Sequence, residues 1–315
     1  MKKLCLFLAL LLAVSLLAAC GEPAGEQDGT TPPAVDTTPT ETEPTWMTLP
    51  ADRALTAQQY FVYSCETGEF LTIAQDKAEK IYPASVTKLF TAYIALQYLP
   101  STAEITAGNV LDSVVPGSSV AEIAKGDTLT AEKLVEAMLL PSGNDAAYIL
   151  AEAAGRVMLN KKDAGTGAAV TRFVEEMNSQ ARLLGMTGTN FANPDGIHSD
   201  SHYTTYADLA IMGTLALEDP VIRKYALVST ETVTLASGEK SWKNTNALIN
   251  PQSEYYCPYA TGLKTGQTPR AGSCLLSSFE YHGHTLLIGV FGCPEADDRF
   301  PDTLQLFNKT AADLP

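Results

Sequence analysis

The chain has 315 residues, 45% of them hydrophobic, and carries a net charge of −15 at pH 7. That length and composition suit one large domain, or two lobes, with a real core. The acidity argues against nucleic acid as a partner, because neutralising phosphates takes clustered Lys and Arg.

Residues 1–20 read as an export signal. Lys2 and Lys3 precede an almost wholly apolar run from Leu4 to Leu17, too short to span a membrane. The ending Leu17-Ala18-Ala19-Cys20 resembles a bacterial lipobox, in which the cysteine is lipidated and becomes the mature N-terminus. An ordinary cleavage site followed by an unrelated cysteine is the alternative. Acyl chains on Cys20 would anchor the protein to the membrane surface without spanning it. Residues 21–48 read as a tether, since Thr, Pro and Glu dominate Thr30 to Thr45 and cannot offset the entropy of ordering. Residues 49–315 are then the catalytic domain.

Within that domain, Gln59 to Cys65 reads as a strand and Phe70 to Ile73 as its hairpin partner. Pro83-Ala84-Ser85 opens a long helical pattern marked by Leu89, Tyr93, Leu96 and Leu99. Further helices are predicted over 131–140, capped by Thr130, from Asn144 or Asp145 to about Met158, over 171–184 and over 206–217. Strand character returns over 228–235, while Ser237-Gly-Glu-Lys240 reads as a turn. Residues 272–281 and 284–291 form an apolar hairpin around His282-Gly283, and a helix over 301–312 closes the chain. Strands at both ends with helices between imply an α/β chain of the α+β type. A mainly antiparallel sheet would carry flanking helices and an inserted helical lobe, with a ligand cleft where lobe and sheet meet.

Six cysteines are present. Cys5 leaves with the signal, and Cys20 is the lipid site. Cys65, Cys257, Cys274 and Cys293 allow three pairings, although three of them sit in or beside apolar runs that favour free thiols. No CxxC pair suggests zinc. His198 and His202 stand four apart, but flank a polar loop without the glutamate of an HExxH string, so no metal or cofactor is expected.

The chemistry lies in three ordered strings: Ser85-x-x-Lys88, Ser142-Gly-Asn144 and Lys264-Thr-Gly266. A Ser-x-x-Lys occurs by chance about once in a chain this long, whereas each tripeptide is expected in roughly one such chain in fifteen. Ser85 needs a base to become a nucleophile, and Lys88 lies on the same helical face three residues on. A lysine is a base only when neutral, through burial or a nearby cation, a part that Lys264 could play. Asn144 is suited to donate to a substrate carbonyl and accept from Lys88, and Ser142 to pass a proton to a leaving amine. Lys264 and Thr265 on an edge strand suit a carboxylate, while Gly266 allows close backbone approach. No Gly-x-Ser-x-Gly string points to a histidine-based triad.

The strings Ala84-Ser-Val-Thr-Lys88, Ser142-Gly-Asn-Asp-Ala-Ala147, Asn193-Pro-Asp-Gly196, Thr204-Thr-Tyr-Ala-Asp-Leu209, Asn244-Thr-Asn246 and Gly262-Leu-Lys-Thr-Gly-Gln-Thr268 carry a narrower match. They resemble the D-alanyl-D-alanine carboxypeptidase family of low-molecular-mass penicillin-binding proteins, on a β-lactamase/transpeptidase-like fold. The resemblance covers residues from about 50 to 315. It implies Ser85 as nucleophile, Lys88 as its base, Ser142 and Asn144 as proton handlers, and Lys264 with Thr265 as the carboxylate site. It also implies an oxyanion hole from the N–H groups of Ser85 and Gln267, and Arg299 as a further carboxylate partner.

Two departures stand out. Asp195 replaces a histidine common in the family, and the chain ends after its last helix, where many relatives continue into a β-rich domain and an amphipathic anchor. An N-terminal lipid would replace that anchor. The expected substrate is the peptidoglycan stem peptide, β-lactam antibiotics are expected to acylate Ser85, and the site of action is the outer face of the cytoplasmic membrane. A β-lactamase is the rival reading, but no Glu-x-x-x-Asn string precedes the third motif. A non-catalytic penicillin-sensing or wall-binding module is the other.

Overall fold

The computed structural model describes residues 46–47, 49–50, 53–74 and 80–314. The proposed signal, the lipidation site at Cys20 and nearly all of the tether fall outside these residues.

A five-stranded antiparallel sheet is the frame. Its strands are β1 (Gln59–Ser64), β2 (Glu69–Ile73), β7 (Ala260–Thr268), β8 (Gly272–Tyr281) and β9 (His284–Cys293), in the order β2-β1-β9-β8-β7. The first and last strands therefore pair within the sheet, with Phe61 opposite Gly289 and Val62 opposite Ile288. The side-chain period of two sends neighbours to opposite faces. Phe61, Leu276, Leu287 and Phe291 join the core shared with the helical lobe. Val62, Leu275, Ile288 and Val290 join a second core beneath α7 (Arg299–Asp313). Because both faces are covered there, β8 and β9 carry long apolar runs. Phe279 stacks on Phe307 of α7 with centroids 4.4 Å apart.

On the other face sits α1 (Thr87–Tyr98), with Leu89, Phe90, Ala92, Ile94 and Ala95 all buried. A helix apolar on all sides belongs in the middle of a domain. Around it lie α2 (Ala131–Leu139), α3 (Asn144–Met158), α4 (Thr166–Leu183) and α5 (Tyr206–Glu218). Thr130 Oγ1 accepts from the Lys133 N–H, the cap that the sequence predicts for α2. Two small two-stranded sheets, β3 (Glu104–Thr106) with β4 (Thr128–Thr130) and the hairpin β5 (Thr230–Leu235) with β6 (Gly238–Lys243), border the lobe.

Four sequence expectations need correcting. Ser85 does not start the α-helix; it sits in a 3-10 turn, Ala84–Val86, that leads into α1. Ser237-Gly-Glu-Lys240 is only half a turn, since Gly238 already begins β6. The short helix α6 (Pro220–Ala226), capped by the Asp219 carboxylate, falls between two predicted elements. The amphipathic α4 begins at Thr166, five residues earlier than its pattern suggested. Cys65, Cys257, Cys274 and Cys293 are free thiols. No helix among the described residues is long and apolar enough to cross a membrane.

Candidate active site

The three strings converge from three elements. Ser85 comes from the 3-10 turn, where Ala84 holds φ +47°, and the turn is braced on two sides by glycines. A Cβ at Gly266 on β7 would lie 2.9 Å from both Pro83 O and the Ser85 nitrogen. A Cβ at Gly196, in the loop 193–197, would lie 1.9 Å from Ala84 O. Only residues without a side chain fit there, so the Lys-Thr-Gly strand and the Asn-Pro-Asp-Gly loop both rest on the turn bearing Ser85.

Lys88, the second residue of α1, is fully buried. Its Nζ donates to Ser85 Oγ at 2.8 Å and to the peptide oxygen of Asp195 at 2.6 Å. The sequence suggested Asn144 as the acceptor; the Asp195 carbonyl takes that place. Burial lowers the Lys88 pKa to about 8, against the opposing pull of the Asp195 and Asp145 carboxylates. The cation expected to do this, Lys264, instead has its own pKa pushed well below the ordinary value, first by burial and then by Lys88 and Arg299.

Lys264, Thr265, Gly266 and Gln267 lie in sequence on β7, the sheet edge facing the helical lobe, as the sequence predicts. Lys264 Nζ donates to the Thr265 carbonyl at 3.1 Å. The Thr265 hydroxyl is 2.5 Å from that of Thr245, whose N–H bonds Leu140 O at 3.1 Å and so ties strand to lobe. Arg299 donates through Nη1 to Gly266 O at 3.2 Å, while its buried Nε has no partner among the described residues.

Asn144, which lines the cleft beside Ser85, begins α3, and Ser142 two residues before it takes φ +63°. Both are buried, and Asn144 Oδ1 has no partner among the described residues. Sequence reasoning treated Asp145 only as a helix start. Its carboxylate accepts from the N–H groups of Ala121, Ile123 and Ala146 at 2.9–3.0 Å, fixing the segment that walls the cleft. Burial nonetheless raises its pKa. A buried acid followed by Ala-Ala was the available signal.

A cleft of about 580 Å³ opens over Ser85, lined also by Ser118, Asn144, Ile197, Gln267 and Thr268. Such a space, with few polar groups converging on one hydroxyl, fits acyl transfer to a serine. The two histidines considered for a metal are otherwise engaged. His202 Nε2 lies 2.8 Å from Thr87 Oγ1, and its Nδ1 accepts from the Ala192 N–H at 3.2 Å. Burial pushes the ring pKa down to about 4, so it is neutral at pH 7.

The fold is that of DD-transpeptidase structures. The crystal structure of the Streptomyces K15 DD-transpeptidase superposes with a TM-score of 0.74 at 27% identity, covering 82% of this chain and 98% of that one. Penicillin-binding protein D2 of Listeria monocytogenes, in its cefotaxime-bound form, gives 0.66 at 28% identity, again over 82% of this chain and 98% of that one. The model of the D-alanyl-D-alanine carboxypeptidase family matches residues 45–295, and the chain belongs to that family of hydrolases. The Streptomyces sp. (strain K15) D-alanyl-D-alanine carboxypeptidase is 30% identical over 71% of this chain and 77% of its own length. DacF of Bacillus subtilis (strain 168) is 28% identical over 74% of this chain but only 57% of its own length.

Proposed function

We propose that this chain removes the terminal D-alanine of peptidoglycan stem peptides through an acyl-enzyme on Ser85. Ser85 Oγ attacks the carbonyl carbon of the penultimate D-alanine while its proton passes to neutral Lys88. The carbonyl oxygen becomes an oxyanion held by the N–H groups of Ser85 and Gln267, worth several kcal/mol as a preorganised pair. Breaking the C–N bond releases D-alanine, whose amine takes a proton relayed through Lys88 and Ser142. Water then cleaves the ester, with Lys88 receiving its proton and Ser85 regaining its hydroxyl. Asn144 orients the substrate amide, and Lys264, Thr265 and Arg299 hold the terminal carboxylate.

The observation that carries this reading is the 2.8 Å contact between Ser85 Oγ and a fully buried lysine amine. A β-lactam presents the same reactive amide and carboxylate, so penicillins are expected to acylate Ser85 and leave slowly. Action on peptidoglycan places the enzyme outside the cytoplasm, and a lipid on Cys20 would tether it to the membrane face.

The test is D-alanine release from a pentapeptide, alongside labelling with a fluorescent penicillin, for native protein and Ser85→Ala. Loss of both in the variant is expected. Persistent label would remove Ser85 from the mechanism. Penicillin turnover as fast as peptide turnover would favour a β-lactamase, and label without D-alanine release a sensor.

A further inference from the structure

The loop that supplies the second acceptor for Lys88 carries a buried carboxyl that the mechanism above does not use. Asp195 is 1% exposed, yet its Oδ2 has no partner among the described residues, and Oδ1 accepts only from the Ile197 N–H at 3.2 Å. The loop around it is held firmly. The Pro194 carbonyl accepts from Thr91 Oγ1 at 2.6 Å, one helical turn beyond Thr87 on α1. Asn193 closes the loop by accepting from the Gly196 N–H and donating to the Ile197 carbonyl, both at 2.8 Å. Gly196 then packs the loop directly against the backbone of Ala84 and Ser85.

A buried carboxylate with an unpartnered oxygen is costly, and it persists where a nearby opposite charge compensates. The charges and titratable groups around Asp195 identify that partner. On α1, Lys88 bonds to the Asp195 peptide oxygen at 2.6 Å. From α3, Tyr148 and Asp145 face the same space; the Tyr148 phenol is pushed up to about 12 by burial and by Asp195, and Asp145 is already bonded to three N–H groups. His202, from the same loop region, is neutral, and His198 Nε2 lies 3.4 Å from Asp200. Lys264, on β7, is pushed well below its ordinary pKa by burial and then by Lys88 and Arg299, and bonds to the Thr265 carbonyl. Lys88 is the cation left for Asp195, and no described carboxylate forms a direct ion pair with Lys88.

We propose that Asp195 is a positioning residue for the Ser85–Lys88 pair, its peptide oxygen aiming the amine and its carboxyl acting as the internal counter-charge that decides when Lys88 can accept a proton. This rests on the reading of Lys88 as the base. The same carboxylate that helps Lys88 tolerate burial when charged holds back its conversion to the neutral base. The two groups therefore titrate as a pair, and the acidic limb of activity set by one reports on the other. A chain with a neutral residue at this position would release its base at lower pH.

The experiment is the pH profile of kcat/KM for D-alanine release, with penicillin labelling of Ser85 on the same preparations. Asp195→Asn keeps an acceptor for the Ile197 N–H and removes only the charge, and Asp195→Ser is a second uncharged variant should the first fold poorly. Both should move the acidic limb of the profile downward by about one pH unit, because losing an adjacent negative charge favours the neutral amine. Asp195→Glu, which keeps the charge, should leave the limb near its native position. An unmoved limb in an uncharged variant overturns the proposal, as does a shift in Asp195→Glu as large as in Asp195→Asn, which would mean packing rather than charge. Native protein that fails to label at Ser85 would sink the parent reading, whereas native labelling with an unmoved limb sinks this inference alone.

Discussion

A methyl group on Gly196 would lie 1.9 Å from the carbonyl oxygen of Ala84, the residue before Ser85. Gly196 also holds φ +85°, a conformation that L side chains rarely adopt. Gly196→Ala therefore meets strain and collision together. The expected outcome is a loss of about 2 kcal/mol or more in denaturant unfolding. Penicillin acylation should fall by at least tenfold even at temperatures where the variant stays folded, because the turn bearing Ser85 must move. Native-like labelling with only a lower Tm would show that the loop braces the fold and not the nucleophile.

How much of this site was legible follows from where its information lies. The strand period, the apolar runs of β8 and β9 and the cap of α2 are local signals, and they emerge where expected. The three strings were found because each packs its chemistry into three or four adjacent residues. What the sequence hid is carried by contacts between distant segments: the Asp195 carbonyl on Lys88, 107 positions apart, and Thr245 on Thr265, 20 apart. The 3-10 turn was missed because its three residues continue the helical pattern of α1, and only the positive φ of Ala84 breaks it. α6 was missed because seven residues are too few to establish a period.

The pKa of Lys88 near 8 sets the pH behaviour. In the proposed mechanism Lys88 must be neutral to take the Ser85 proton, so kcat/KM should fall about tenfold per unit below pH 8 and level off above it. The folded pKa lies below the ordinary 10.5, so the unfolded chain binds more protons between pH 8 and 10.5, and stability rises with pH across that window. Lys88→Met removes this dependence. Between pH 8 and 10, the variant should gain roughly 2 kcal/mol less than native protein in denaturant titrations, while losing acylation altogether. A variant with the native pH slope would mean that Lys88 is not the group responsible.

Lys264 and Arg299 are buried basic side chains that bond the backbone of β7, and neither forms an ion pair among the described residues. A substrate carboxylate would relieve both, so binding should depend on the anion. An N-acyl-D-Ala-D-Ala substrate is expected to show a KM at least tenfold below that of its C-terminal amide, about 1.4 kcal/mol. Lys264→Gln should erase most of that preference by raising KM for the acid alone. If acid and amide bind equally to native protein, the carboxylate assignment of β7 fails.

Asp145 ties the start of α3 to the segment that walls the cleft. Its two oxygens take N–H groups from Ala121, Ile123 and Ala146, and the neighbouring Asn144 N–H bonds the Ser119 carbonyl at 2.9 Å. Ser118 and Ser119 line the cleft, so one buried carboxylate holds both the wall and the start of α3. Asp145→Ala leaves three buried N–H groups without their acceptor and removes a negative charge from a helix N-terminus, at a cost of about 3 kcal/mol. Asp145→Asn retains one acceptor oxygen and should lose less. Both should raise KM for peptide more than they lower kcat, because the wall that positions substrate loosens while Ser85 and Lys88 keep their contact. Equal losses in kcat and kcat/KM would instead place Asp145 in the transition state, through Asn144.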